Sequence, residues 1–219
     1  MSEANDPSSG SDRSPADLLK RWFHVPALLS VLVFMLWTRL QSYGNFVVDG
    51  EVYFRGNDPW YHLRTTSYLL ENWPNTLPYA IWTGFPIGNN AGQFGTLWDY
   101  IMAVGIWIAE PIMGSPEEVM LVMAPIVGAL VAVPTYFIAR RFVDRVPALV
   151  GAATLALFSG TFLRYSLVGF PDHSVAEVFF QSTAILALLV AFGVAEREKP
   201  VWELVVDQDW DALRKPIVY

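Results

Sequence analysis

What most constrains this chain is the bunching of its apolar residues into runs long enough to cross a lipid bilayer. A spanning helix needs about 20 predominantly apolar residues, and the segments 24–42, 119–139, 147–163 and 175–195 all approach that length. Inside hydrocarbon no water is present to pair backbone amides, so such runs fold as helices that pair their own. The expected fold class is therefore all-α and integral to the membrane: a polytopic helical bundle with one long external loop. Composition agrees, because charged residues are only 16% of the 219, whereas soluble domains carry about a quarter.

A fifth apolar segment, 97–113, is bracketed by Asp99 and Glu110 and carries Pro111 near its end. Its uninterrupted core is too short to span, and it reads as an interfacial or re-entrant helix. With that segment out of the count, Lys20 and Arg21, the turn holding Arg140, Arg141 and Arg145, and the loop with Arg197 and Lys199 all fall on one side. Basic clusters mark the cytoplasmic face. Four spans with both ends cytoplasmic follow, in a transmembrane domain over 21–195 with the loop 43–118 outside.

Lys20 and Arg21 before the run from Val25 to Trp37 resemble a signal sequence, but no small-residue cleavage site follows, so an uncleaved signal anchor is expected. Residues 1–20, rich in Ser, Asp, Pro and Gly, read as a disordered cytoplasmic tail. Residues 196–219 form a cytoplasmic loop, with a short amphipathic helix expected over 202–213. The chain stops at Tyr219 where a further span is due, which reads as a piece of a longer protein.

The absence of cysteine rules out disulfides, zinc thiolates and thiol nucleophiles. A net charge of −7 with lysine only at positions 20, 199 and 215 suits a high-salt environment, where screening relieves self-repulsion. No basic stripe is present to neutralise phosphates, so nucleic acid is not an expected partner. Walker and dinucleotide-binding loops are also missing.

Two acidic motifs remain. Asp58 lies in Gly56-Asn-Asp-Pro-Trp-Tyr-His-Leu-Arg-Thr-Thr66, just past the first span; Asp172 lies in Gly169-Phe-Pro-Asp-His-Ser174, where a later span re-emerges. The topology puts both at the external surface of a cell-membrane protein. Two acids at one water–lipid boundary suit a divalent cation, Mg²⁺ or Mn²⁺, with His173 or Ser174 as a further ligand. Glu177 shares a helix face with His173 and is an additional candidate. Arg64 has the charge to hold a phosphate or to pair with Glu71, and His62 reads as structural. Each acid also has a plain reading as a turn former or helix cap. A cation-coupled transporter using Asp172 and Glu177 stays open on these residues, as does a non-catalytic assembly subunit.

The string Asp58-Pro-Trp-Tyr-His-Leu-Arg-Thr-Thr66 resembles the first acidic motif of the catalytic subunit of archaeal oligosaccharyltransferases, membrane glycosyltransferases of the GT-C class, most closely in its haloarchaeal form. Phe85-Pro-Ile-Gly88, Gly95-Thr-Leu-Trp-Asp99 and Gly169-Phe-Pro-Asp172 are similar to the rest of that pattern, from about Lys20 to Pro200. The resemblance implies transfer of a glycan from a dolichyl phosphate- or diphosphate-linked donor to Asn in Asn-x-Ser/Thr acceptors. It implies Mn²⁺ or Mg²⁺ held partly by Asp58 and Asp172, with Asp58 catalytic toward the acceptor amide; Arg64 stays a substrate-binding candidate on its charge alone. One departure is Ser174, where the family places Asp, Glu or His. A second is that the family's later spans and soluble domain are missing, so this piece alone is expected to be inactive.

Overall fold

The computed structural model describes residues 22–91, 96–195 and 201–210. The expected tail over 1–20 lies outside the described residues, as does most of 196–219. Within them the chain is mostly helical, and three helices are long and apolar enough to cross a membrane: His24–Asn45, Pro116–Ala139 and Ser174–Val194.

Helix α1 (His24–Leu40) is the first of these. The third, α8 (Ser174–Ala195), agrees with the expected span over 175–195. The second is built from α4 (Pro116–Leu130) and α5 (Ala132–Ala139), with a turn at Val131 between them. Ser115 caps α4 by accepting a 3.2 Å bond from the Glu118 amide, and Pro116 occupies the first helical position. Both features stabilise a helix N-terminus, which is why the helix starts three residues before its apolar run. About 56% of this central helix is buried, against 11% for each of the other two. It is the axis of the bundle: α1 and α8 pack on it and turn apolar faces outward, among them Leu29, Val33, Trp37, Leu188 and Phe192.

The remaining expected span, 147–163, is not one helix. Residues 147–163 are divided between α6 (Arg145–Thr154) and α7 (Thr161–Ser166). Gly160, with φ +148°, separates them, and a run of weak helix formers, Phe158-Ser159-Gly160-Thr161, favours the break. The two pieces still run back along α1 and α4. Small side chains allow close approach: Ala129, Ala132, Ala148, Ala152 and Ala156 are buried together with Met35 and Tyr136.

The segment between α1 and α4, expected outside the membrane, is structured rather than a bare loop. It contains α2 (Asp58–Glu71), α3 (Leu97–Met113) and two short antiparallel hairpins. In the first, β1 (Val47–Val48) pairs with β2 (Glu51–Val52) through an Asp49-Gly50 turn whose residues both have positive φ. That is the turn chemistry a two-residue hairpin requires. In the second, β3 (Tyr79–Ala80) pairs with β4 (Asn89–Asn90). These strands correct the purely helical expectation. Helix α3 has the bounds read from the sequence, buries Trp98, Met102 and Ile106, and ends at Gly114 with φ +104°.

Candidate functional site

The two acidic motifs meet at one end of the bundle. The amide of Arg55, just ahead of Gly56-Asn57-Asp58, donates a 2.7 Å bond to the Gly169 carbonyl. The amide of Val168 donates 3.1 Å to the Arg39 carbonyl near the end of α1. Gly169 has φ +90°, and a Cβ there would sit 2.3 Å from the Phe46 ring. Only glycine meets both conditions comfortably, so the second motif is locked against the first hairpin.

Asp58 opens α2, but Asn57 is the residue at the cap and makes no side-chain cap bond. The helix-cap reading of Asp58 is thereby set aside, and its carboxyl is directed to another partner. Asp172 lies close enough to hydrogen-bond it side chain to side chain. Burial pushes the Asp58 carboxyl above the ordinary carboxylate range, and the like charge of Asp172 adds to the push. The imidazoles of His62 and His173 act the other way. Asp172, 1% exposed, also accepts a 2.6 Å bond from the Ser174 amide at the start of α8. Its turn-forming role and its place opposite Asp58 therefore coexist.

His173 is half-buried. Its Nδ1 lies 3.2 Å from His62 Nε2 and 3.6 Å from Asp172 Oδ1, while its Nε2 lies 3.7 Å from Glu177 Oε1. Glu177 itself is mostly exposed. His62 is buried and holds Asp99 of α3 at 2.7 Å through Nδ1. The sequence reads His62 as structural and Asp99 as the edge of an apolar segment and the end of a family-like string, without pairing the two. An acid in the first turn of a mostly apolar helix is the available signal, since a buried carboxylate needs a partner.

A cavity of about 500 Å³ opens in front of these groups, lined by Asp58, His173, Arg64, Trp60, Trp82 and Thr83 among others. Its size suits a small-molecule head group. Arg64 reaches Thr83 Oγ1 at 3.3 Å, and its buried Nε has no partner. Among the described residues no carboxylate stands in ion-pair range of Arg64, so the pairing with Glu71 does not form. The guanidinium faces the cavity with donor capacity to spare.

Residues 27–203 match the family described as oligosaccharyl transferase STT3, N-terminal. The chain belongs to that family. It is 48% identical, over 93% of its own length and 20% of the relative's, to the dolichyl-monophosphooligosaccharide–protein glycotransferase AglB of Haloferax volcanii. Among solved structures it is similar to archaeal oligosaccharyltransferase AglB from Archaeoglobus fulgidus in complex with an inhibitory peptide and a dolichol-phosphate. That match has a TM-score of 0.72 and 27% identity, over 83% of this chain and 21% of the other. It is also similar to an Archaeoglobus fulgidus oligosaccharyltransferase in complex with Zn and sulfate, with TM-score 0.67 and 26% identity, over 79% and 22% of the two chains. The chain thus spans about a fifth of these relatives. The transporter and assembly-subunit readings are not favoured by membership of this family.

Proposed function

We propose that this chain forms the N-terminal membrane part of an oligosaccharyltransferase that moves a glycan from a dolichyl phosphate-linked donor to Asn in Asn-x-Ser/Thr acceptors. The observation that carries the reading is the meeting of two acids from motifs far apart in the chain: Asp58, which lines the cavity, and Asp172, buried beside it. The descriptions of the relatives named above support a dolichyl phosphate-linked donor and glycan transfer to protein.

The donor set fits a hard divalent cation, Mn²⁺ or Mg²⁺. Two carboxyls held side by side, one with its proton affinity raised, are relieved by a cation between them. Among the described residues no group of three or more His, Asp or Glu side chains converges in ligand geometry. The pair therefore offers two oxygens, with His173 or Ser174 beside them, and leaves positions for water and phosphate. Magnesium-type sites are commonly of this kind. When bound, the ion supplies Lewis-acid stabilisation of the phosphate that departs.

The chain's own residues do the rest. Asp58, at the cavity mouth, accepts a hydrogen bond from the acceptor amide and orients it. Arg64, on the cavity wall, offers its remaining guanidinium donors to the donor phosphate. Trp60 and Trp82 line the same cavity, and their rings suit stacking on sugars. The active site lies on the extracytoplasmic face, where the basic turn at Arg140, Arg141 and Arg145 is at the opposite end of the central helix. The test is glycopeptide transfer by the intact protein in membranes. Asp58→Ala and Asp172→Ala are each expected to lower turnover by roughly 100-fold or more, the scale for losing a group that acts on the transition state. Transfer retained by both variants would sink the proposal.

A further inference from the structure

We propose that Arg39 is a positioning residue for the acid pair. Its guanidinium fixes the segment that leads to Asp172 against the end of α1, from which the segment leading to Asp58 departs. The inference rests on the two-acid metal site proposed above and adds to it a residue whose hydrogen bonds go to neither acid.

Arg39 is the next-to-last residue of α1 and is fully buried. Among the described residues no carboxylate stands in ion-pair range of it. A cation inside an apolar bundle is costly unless its donors are used. Here they go to neutral acceptors from three parts of the chain. Nη1 donates 3.2 Å to the Met35 carbonyl of α1, and Nη2 donates 3.3 Å to the Leu155 carbonyl just after α6. Nε donates 2.9 Å to Ser166 Oγ at the end of α7, and Cζ lies 5.3 Å from the centre of the Phe162 ring. A planar fork serves such a set at once, whereas a lysine ammonium is a single point charge. Gly128 of α4 closes another side: a Cβ there would lie 2.5 Å from Ser166 Cβ and 3.1 Å from Arg39 Nε.

The chain past these contacts carries the hold to the acids. Two residues beyond Ser166, the Val168 amide donates to the Arg39 carbonyl at 3.1 Å. At the next residue, the Gly169 carbonyl takes the Arg55 amide at 2.7 Å. Asp58 follows Arg55 by three residues, and Asp172 follows Gly169 by three. Residues 168–172 are all buried, and the ring of Pro171 fixes its φ. A shift at Ser166 therefore meets no exposed, flexible link and is passed on to Asp172. Helix α7 has six residues, too few to hold its place without neighbours. Its register against α1 is set by the Arg39 side chain at Ser166 and the Arg39 carbonyl at Val168.

The experiment measures Mn²⁺ binding to the intact protein in lipid bilayers, by the electron paramagnetic resonance of Mn²⁺ alone, together with melting. Arg39→Lys keeps the charge and loses the fork. It should weaken Mn²⁺ binding by about 10-fold, the low end of the cost of losing a support for a metal ligand. Tyr136→Leu is the control, since Tyr136 is buried in the separate cluster with Ala132 and Ala148. It should melt lower and keep its Mn²⁺ affinity. Unchanged affinity in a folded Arg39→Lys, or an equal loss of affinity in Tyr136→Leu, would overturn the positioning role. If Arg39→Lys does not fold, Ser166→Ala decides in its place: it removes one acceptor with little change in volume, and unchanged affinity there counts against the proposal in the same way. Asp58→Ala and Asp172→Ala test the underlying reading separately. Binding undiminished in both removes the metal site, and with it the part given to Arg39; binding lost in both while Arg39→Lys binds normally overturns the positioning role alone.

Discussion

At the scale of single residues, the sequence made Asp58 and Asp172 visible because charge beside lipid is costly unless it is used. Their mutual approach was inferred from topology alone, and the structure brings the carboxyls into hydrogen-bonding range. The roles of His62 and Asp99 were not legible, because residues 37 apart on two helices are joined only by the packing of α2 on α3. Asp58 also gives a pH prediction with a definite sign. Burial first, then Asp172, raises its proton affinity in the fold. A carboxyl raised in this way adds stability below its unfolded value, and that stability is lost as pH rises through the folded one. Without divalent cations, Asp58→Asn should therefore melt higher than the unaltered protein at neutral pH. The gap should close toward acid pH, and also on adding Mn²⁺ to the unaltered protein. A gap that widens as pH falls would show that Asp58 is held ionised by its surroundings. Melting curves across pH, with and without Mn²⁺, decide it.

At the scale of elements, the helices read from apolar periodicity and length largely have the expected bounds. α3 and α8 are the clearest, since their runs end at a glycine and begin at the Pro171-Asp172 turn. The hairpins were missed because four strand residues carry almost no periodic signal; Asp49-Gly50, with both φ values positive, was the cue. These small elements hold the site together. The hairpin residue Phe46 packs on Gly169, and the Gly169 carbonyl takes the Arg55 amide. Gly169→Ala places a methyl group into the Phe46 ring at a positive φ. It should cost about 1–3 kcal/mol of stability, the range for a residue forced into strained backbone. Transfer activity should fall with it, because the second motif shifts relative to the first. Phe46→Ala in the same background makes room for the methyl group and should restore part of the activity. A Gly169→Ala variant with unchanged melting and turnover would remove this contact from the account of the site.

At the scale of the whole molecule, the broken return segment explains how two acids on either side of it share one face. The central helix, 24 residues from Pro116 to Ala139, leads away from the site, and Asp172 is back beside Asp58 by way of α6 and α7. Helix α6 has 10 residues, about 15 Å at 1.5 Å each, so neither piece spans by itself. Non-helical backbone at membrane depth is tolerated only where protein satisfies it. Arg39 does so here. Fully buried, it donates to the Leu155 carbonyl at 3.3 Å and to Ser166 Oγ at 2.9 Å, on either side of the break. Gly128 of α4 lets Ser166 approach, since a Cβ there would lie 2.5 Å from the serine Cβ. Apolar length alone marked 147–163 as a crossing but could not reveal that the segment is divided or that a buried guanidinium pairs with both sides of the break. The absence of cysteine makes the resulting topology directly measurable. Asp49→Cys and Asn75→Cys, both at exposed positions in the segment between α1 and α3 that carries Asp58, should react with an impermeant maleimide on intact cells. Asp144→Cys, exposed in the basic turn, should react only after permeabilisation. Labelling of Asp144→Cys from outside would mean that 145–166 does not return across the bilayer, and the shared extracytoplasmic face of Asp58 and Asp172 would be lost with it.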